Sequence, residues 1–132
     1  METKPLLEYV DCIRCSVPDI ETGLKFYRDE LGLELAWKLK DYAGLLMPET
    51  KTEIVLDSHQ HQPEIFFRVR SVDKAVKQIT TAGGKVIVPL YEIEVGFCAA
   101  VEDPFGNRFV LMDTSKGVFV TDTQGNVTGI SS

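Results

Sequence analysis

The alternation of hydrophobic and polar residues along the chain predicts short strands interrupted by two amphipathic helices. Hydrophobic residues recur every three or four positions after Asp19 and again after Ser71, and both of these residues are favourable N-caps. Gly32 and the pair Gly83 and Gly84 then provide the C-terminal ends of the two helices. The predicted strands are residues 9–17, 33–39, 43–47, 52–57, 64–69, 85–88, 96–101 and 108–112.

The second half of this pattern repeats the first half. Val69 follows Val17 by 52 positions. Gly84 follows Gly32 by the same interval. An internal duplication of this length indicates two structural modules that share one core. We therefore predict the α+β class and a single domain over residues 1–132, in which two β-α-β-β-β modules form an open, curved barrel.

The predicted domain divides into module one at residues 6–57, a polar linker at 58–63 and module two at 64–113. Residues 116–132 lie outside the repeat, and their two short apolar runs flank a Gly-Asn turn. This arrangement predicts a C-terminal β-hairpin. The sequence leaves two roles open for it, since it could pack against a partner subunit or cover an edge of the barrel.

The composition is that of an acidic globular protein, with 44% hydrophobic residues and a net charge of −6. This charge argues against nucleic acid and against an anionic membrane surface as partners. No apolar run approaches the roughly 20 residues of a membrane-spanning helix. The first residues lack the apolar core of a signal peptide, so we expect the protein in the cytoplasm.

The cysteines and histidines are weak candidates for a redox or zinc site. Cys12 and Cys15 form a C-x-x-C motif, but their odd spacing on a strand directs the two sulfurs to opposite faces. The sequence contains no second C-x-x-C that would complete a zinc site. Cys12 has no histidine nearby in the pattern to activate it as a nucleophile. His59 and His61 lie in the polar linker, where we expect solvated side chains rather than ligands.

Two segments resemble the vicinal oxygen chelate superfamily, which contains glyoxalase, extradiol dioxygenases and bleomycin-resistance proteins. They are residues 17–33, which begin Val-Pro-Asp-Ile, and residues 101–111, which contain a tight Asp-Pro-Phe-Gly-Asn turn followed by an apolar strand. The resemblance spans about residues 9–113. It implies paired β-α-β-β-β modules that are often dimeric, so we expect a homodimer. It does not by itself specify a reaction, because many chemistries share this scaffold.

The resemblance also implies where a metal would be bound. Metal-dependent members place one ligand on the first strand and one on the last strand of each module. The corresponding positions in this chain are Cys12, Val55, Glu64 and Val110. Valine cannot coordinate a metal, and two remaining ligands are fewer than a stable site needs. We therefore predict no metal and no other cofactor, with a divalent metal held by a different ligand set as the alternative.

Strand alternation sorts the inner side chains into two faces, independently of any family. The face predicted to pack beneath the helices contains Ile13, Cys15, Val17, Ile54, Leu56, Ile65, Phe67, Val69, Phe109 and Leu111. The opposite face contains Cys12, Arg14, Ser16, Glu53, Val55, Glu64, Phe66, Arg68, Arg108, Val110 and Met112. Five residues of this second set are charged, and desolvating each of them would cost several kcal/mol. We therefore predict that this face lines a hydrated cleft with some apolar wall.

Within this cleft the three arginines are suited to a carboxylate, phosphate or enolate oxygen, because the guanidinium fork matches such groups. The predicted ligand-binding residues are Cys12, Arg14, Glu53, Phe66, Arg68, Arg108 and Met112. If a reaction occurs, Glu64 is the candidate general base, since a semi-apolar cleft can raise the pKa of a carboxylate. The alternative is that Arg14 with Glu64, or Arg108 with Glu53, forms a structural ion pair and binds no ligand.

Three functions remain open from the sequence. We favour a glyoxalase/bleomycin-resistance-like protein that binds a small anionic or aromatic molecule in a metal-free cleft. The second is a metal-dependent enzyme, either a lyase similar to lactoylglutathione lyase or a dioxygenase, with an atypical ligand set. The third is a non-catalytic structural or regulatory dimer.

Overall fold

The computed structural model describes residues 4–132. Two short helical regions and ten strands make up the fold. Their order is β1 (Tyr9–Ser16), α1 (Ile20–Leu24) continuing as a π-helical segment (Lys25–Glu30), β2 (Glu34–Lys38), β3 (Tyr42–Leu46), β4 (Glu53–Asp57), β5 (Glu64–Arg68), α2 (Val72–Thr81), β6 (Lys85–Ile93), β7 (Gly96–Glu102), β8 (Arg108–Met112), β9 (Val118–Thr121) and β10 (Val127–Ser131). Within the described part of the chain, every helix is too short or too polar to cross a membrane.

Eight strands form one large sheet in the order β2-β3-β4-β1-β5-β8-β7-β6, and β9 pairs with β10 in a separate hairpin. β1 and β5 are antiparallel neighbours at the centre. Each has the last strand of its own module on its other side in parallel pairing. The two halves of the sheet therefore have the same arrangement, as the sequence repeat indicated. The predicted α+β class, with two β-α-β-β-β modules and a C-terminal hairpin, is confirmed.

The sixth strand is longer than the sequence predicted. The pattern indicated residues 85–88, whereas the strand extends through Pro89 to Ile93. Proline lacks the N–H that a central strand needs, but β6 is the edge strand of the sheet. Two register shifts, between Val86 and Val88 and between Val88 and Tyr91, place this segment at irregular positions of the ladder. Edge position and bulges together make the proline compatible with a strand.

The first helix begins at the predicted cap but does not continue as a regular α-helix. The Asp19 carboxylate accepts hydrogen bonds from the backbone N–H and the hydroxyl of Thr22, each at 2.8 Å. From Lys25 the helix widens into a π-helical segment, in which the Leu31 N–H bonds the Phe26 carbonyl five residues earlier. Leu31 continues the helical spacing of Ile20, Leu24 and Tyr27 in the sequence, yet its side chain is exposed after this wider turn.

Each helix covers its own apolar cluster on the sheet face that was predicted to pack beneath the helices. Leu24 packs with Leu56 beneath the first helix. Val72 packs with Leu111 and Val69 beneath α2. Ile65 is an exception, because its side chain is 45% exposed although its parity places it on the face beneath the helices. β5 lies at the centre of the sheet, between the two helix-covered clusters.

A buried carboxylate, Asp113, joins α2 to the end of the sheet. It accepts hydrogen bonds from the backbone N–H of Val72 at 2.9 Å and of Phe97 at 3.1 Å, and from both the N–H and the hydroxyl of Ser115. Burial opposes its ionisation, but the bonds from the Val72 and Ser115 amides outweigh burial and lower the pKa of Asp113. Gly96 packs against Asp113 so closely that a Cβ at this position would lie 2.3 Å from the Asp113 carbonyl oxygen.

A second buried carboxylate, Asp57, holds the linker to module one. It accepts hydrogen bonds from the His59 backbone N–H at 2.7 Å and from His61 Nε2 at 2.7 Å, and it pairs with Arg14. The prediction of a solvated histidine is therefore wrong for His61, whose side chain is only 19% exposed, whereas His59 is largely exposed. The hydrogen bond of His61 to the Gln62 carbonyl, together with Asp57, raises the pKa of His61 despite burial.

Replacing Asp113 by alanine is expected to lower the free energy of unfolding by about 3 kcal/mol, because buried N–H donors lose their acceptor. Urea unfolding monitored by circular dichroism measures this change. Asp73→Ala is the matched control, because Asp73 is an exposed helix residue paired only with Lys77, and we expect its effect to stay within about 0.5 kcal/mol. Equal effects of the two substitutions would contradict the anchoring role of Asp113.

The His61–Asp57 contact is expected to make stability depend on pH. Because folding raises the pKa of His61, its charged form stabilises the protein fully below about pH 6.5 and loses this contribution as pH rises through the folded value. The free energy lost on His61→Asn should be larger at about pH 5.5 than at about pH 8.5, by roughly 1 kcal/mol. Urea unfolding at both pH values measures the difference. In an Asp57→Asn background the pH dependence should become smaller, because only the Gln62 carbonyl then favours the charged imidazole, and an undiminished pH dependence there would refute a contribution from this pair.

Candidate functional site

The face of the sheet opposite the helices forms a cleft of about 960 Å³, which is within the range of small-molecule sites. β1, β4, β5 and β8 form its floor, and the hairpin strand β9 contributes one wall. Six of the residues predicted to bind a ligand line it: Cys12, Arg14, Glu53, Phe66, Arg68 and Met112. The strand parity read from the sequence therefore brings most of the predicted side chains to one cavity.

Arg14 is held in the cleft by one side of its guanidinium group. Its Nε donates to the buried Asp57 carboxylate. Its guanidinium carbon lies 5.4 Å from the centre of the Tyr42 ring and 6.0 Å from that of Phe66. Burial disfavours the charged form, but the hydrogen bond and the charge of Asp57 raise the pKa of Arg14 overall. Within residues 4–132 the two terminal amino groups of Arg14 make no hydrogen bond, so they can donate to a ligand.

Arg68 is bonded more extensively than Arg14, because each of its three nitrogens donates to a protein acceptor. Nε and Nη2 donate to Asp11 Oδ1 at 3.1 and 2.8 Å, and Nη1 donates to the hydroxyl of Thr114 at 3.0 Å. The guanidinium also lies over the Tyr9 ring. These bonds use three of its five N–H groups and leave two for a ligand oxygen, compared with four on Arg14. Arg68 therefore lines the cleft mainly as a structural element that positions β1 and β5.

Glu53 is a partly buried carboxylate at the side of the floor. Its Oε1 accepts a hydrogen bond from Trp37 Nε1 at 2.8 Å. Burial raises the pKa of Glu53, and the bond from Trp37 only partly offsets this effect. Cys12 is its neighbour on β1 in parallel register. The side chain thus presents a carboxylate of fixed orientation beside an apolar surface.

Glu64 and Arg108 do not line the cleft. Glu64 is opposite Arg14 in the β1–β5 ladder, but its side chain is 43% exposed at the rim and lies 3.9 Å from the His61 ring. Arg108 begins β8 beyond the end of the cleft, where it pairs with Glu102 at 2.8 Å. The predicted roles of Glu64 as a base and of Arg108 as a ligand-binding residue stay predictions, and the geometry gives them no support.

The ion pairs weighed from the sequence do not form in the described residues. Arg14 pairs with Asp57 instead of Glu64. Arg108 pairs with Glu102 instead of Glu53, because Glu102 is its direct partner across the β7–β8 ladder. Asp57 could have been found from the sequence, because it continues the alternation of β4 on the cleft face. Sequence reasoning ended that face at Val55 and so missed it.

The residues at the four chelate positions do not fit a metal. Cys12, Val55 and Val110 are buried together with Phe66 in one apolar cluster on the floor. Burial raises the pKa of the Cys12 thiol far above its usual value, so the thiolate that a metal needs is disfavoured. Glu64 lies at the rim, apart from this cluster. Across residues 4–132 no group of three or more histidine, cysteine, aspartate or glutamate side chains could hold an ion.

Aromatic side chains that the sequence did not single out complete the walls. Trp37 and Phe119 of the hairpin pack at 4.9 Å between ring centres. Tyr91 lines the other side, where its hydroxyl contacts the Cys98 thiol, and burial raises the pKa of Cys98 to about 12. Alternation along β2 could have identified Trp37. The position of Phe119 could not be read from the sequence, because it depends on how the hairpin folds back.

The hairpin is fixed over the cleft from both ends. Lys38 of β2 forms an isolated bridge with Asn126 in its turn. At its base Lys116 pairs with Glu92 of β6. Because β2 and β6 are the two edges of the large sheet, the hairpin region contacts both edges. The hairpin therefore covers the barrel of its own chain, which is one of the two roles left open by the sequence.

Comparison with known proteins agrees with this architecture. The model of the Glyoxalase/Bleomycin resistance protein/Dioxygenase superfamily matches residues 9–111. No curated protein matches the sequence significantly. Among solved structures, methylmalonyl-CoA epimerase from Mycobacterium tuberculosis is similar with a TM-score of 0.73 and 16% identity, covering 87% of this chain and 93% of that chain.

Two further structures have the same fold. Methylmalonyl-CoA epimerase from Streptomyces coelicolor, in complex with 2-nitronate-propionyl-CoA, gives a TM-score of 0.68 at 17% identity and covers 83% of this chain and 99% of that chain. A structure described as NAD-dependent benzaldehyde dehydrogenase from Legionella pneumophila gives 0.66 at 19% identity, with coverage of 79% and 98%. These identities support the fold alone. Because the family model matches most of its length, this chain belongs to the glyoxalase/bleomycin resistance protein/dioxygenase superfamily.

Proposed function

We propose that this chain binds a small molecule that has an anionic group and an apolar or aromatic body, and that it does so without a metal. The position of Arg14 carries this proposal. Its charge lies close to two aromatic rings in a cleft of suitable size, and within residues 4–132 only its Nε is engaged by protein. A carboxylate of the ligand can accept from both terminal amino groups in the bidentate geometry that guanidinium favours.

The floor of the cleft supports the apolar part of the proposal. Phe66, Cys12, Val55 and Val110 form a continuous buried surface beside Arg14. An apolar or aromatic ligand body packed on this surface would lose contact with water and gain about 25 cal/mol for each Å² buried. Apolar walls with a few convergent polar groups are typical of small-molecule sites.

The alternative function is a metal-dependent lyase or dioxygenase. Superfamily membership supports it in general terms, but the side chains at the chelate positions supply only Cys12 and Glu64 as donors. The methylmalonyl-CoA epimerases that share the fold act, by their names, on a carboxylated acyl thioester. Such a substrate also combines an anion with an apolar body, so the epimerases are compatible with the ligand class proposed here.

Aryl and alkyl carboxylates are expected to raise the melting temperature by several degrees at concentrations well above Kd, because a ligand specific to the folded state stabilises it. Benzoate and phenylacetate are suitable probes, with benzamide as the neutral comparison. Arg14→Lys should weaken carboxylate binding at least about tenfold, because lysine keeps the charge but loses the bidentate fork. Thermal shift gives the screen and isothermal titration gives the Kd.

Arg108→Lys is the matched control for this substitution, because Arg108 is exposed and lies outside the cleft. It should leave carboxylate affinity unchanged within about twofold. Equal losses in the two variants, or the absence of any carboxylate effect in the native protein, would contradict the proposed binding site.

Protein purified without chelators is expected to contain less than about 0.1 equivalents of nickel, zinc, manganese or iron, because a stable site needs three or four protein ligands. Inductively coupled plasma mass spectrometry measures this content. Carboxylate affinity should be the same before and after treatment with EDTA. Near-stoichiometric metal that is lost together with ligand binding would favour the metal-dependent enzyme instead.

A further inference from the structure

Glu53 is a charged residue of the cleft floor that has one carboxylate oxygen without a protein donor among the described residues. Trp37 Nε1 occupies its Oε1, and the second oxygen, Oε2, makes no hydrogen bond or ion pair within residues 4–132. The nearest cation on the floor, Arg68, is engaged by Asp11 and Thr114. An ionised carboxylate beside an apolar surface is stabilised by a donor, and the protein supplies only one.

The strand register fixes the distance between Glu53 and Arg14. Glu53 is level with Cys12 on the neighbouring parallel strand, and Arg14 is two residues further along. Two residues of strand rise and one strand spacing place the two Cα atoms about 8 Å apart. Between them lie the buried side chains of Val55 and Cys12, with Phe66 beside them. A carboxylate and a guanidinium therefore flank one apolar strip of the floor, on residues whose Cα atoms are about 8 Å apart.

We propose that Glu53 selects ligands that carry a hydroxyl or amino donor about one ring width from the anionic group bound by Arg14. The donor of the ligand bonds Oε2, and the ring or chain between the two groups covers the apolar strip. Trp37 acts as a positioning residue, because its bond to Oε1 directs Oε2 towards the ligand. This inference rests on the function proposed above and specifies the ligand class of the same site.

A glutamine substitution at Glu53 tests the proposed acceptor directly. In Glu53→Gln the Trp37 N–H can bond only the amide oxygen, so the amide NH₂ takes the place of Oε2. An acceptor becomes a donor with almost no change in shape. The variant should therefore lose its preference for ligands with a donor, whereas carboxylate binding at Arg14 should persist.

The test compares 4-hydroxybenzoate with 4-methoxybenzoate, which lacks the donor, and with benzoate, by isothermal titration. We expect the native protein to bind the hydroxy compound at least about tenfold more tightly than the methoxy compound, since an acceptor left without a donor is costly. In Glu53→Gln the ratio should fall to about one or invert. Glu34→Gln, an exposed strand residue outside the cleft, should keep the native ratio.

The outcomes separate this inference from the proposed function. If benzoate binds through Arg14 but the native protein does not distinguish the hydroxy from the methoxy compound, Glu53 has no such role and carboxylate binding stands. A native preference that survives in Glu53→Gln also overturns the inference. If no carboxylate binds at all, both the inference and the proposed function fail. Should Glu53→Gln not fold, as judged by circular dichroism, the native ratio between the two compounds still decides.

Discussion

The antiparallel pairing of β1 with β5 is the constraint on which the rest of this structure depends. It joins the two modules into one sheet and brings Cys12 opposite Phe66 and Arg14 opposite Glu64. Because side chains alternate between the faces of a sheet, a slip by one residue would move the apolar floor to the helix side. The register of this single pairing therefore decides which residues meet in the cleft and which lie beneath the helices.

The cleft tolerates its charges because most of them are compensated, and the pattern of compensation distinguishes residues that look alike in sequence. Arg14 and Arg68 both lie on the floor. Arg68 donates from all three nitrogens to Asp11 and Thr114, whereas Arg14 donates only through Nε and lies near the Tyr42 and Phe66 rings. Desolvated charges need partners, so a partly satisfied cation in a cavity points to a ligand that supplies the remaining acceptor.

Three of the four positions that correspond to metal ligands in metal-dependent members lie in an apolar cluster in this chain. Cys12, Val55 and Val110 pack around Phe66, and a protonated thiol at Cys12 suits this environment. The polar groups lie around this surface rather than on it, with Arg14 and Glu53 the nearest on the floor. This arrangement favours ligand recognition by packing and directed hydrogen bonds over recognition by metal coordination.

Much of the fold and of the cleft lining could be predicted from the sequence, because it follows from short-range patterns in the chain. The duplication, the Asp19 cap and the strand parity that gathers six predicted residues in one cleft all depend on neighbouring residues or fixed periods. Only the tertiary structure decided the partners of the charges, because Asp57 and Asp11 reach the arginines through pairing of distant strands. The same holds for the hairpin wall, whose position depends on contacts between distant segments that no local pattern encodes.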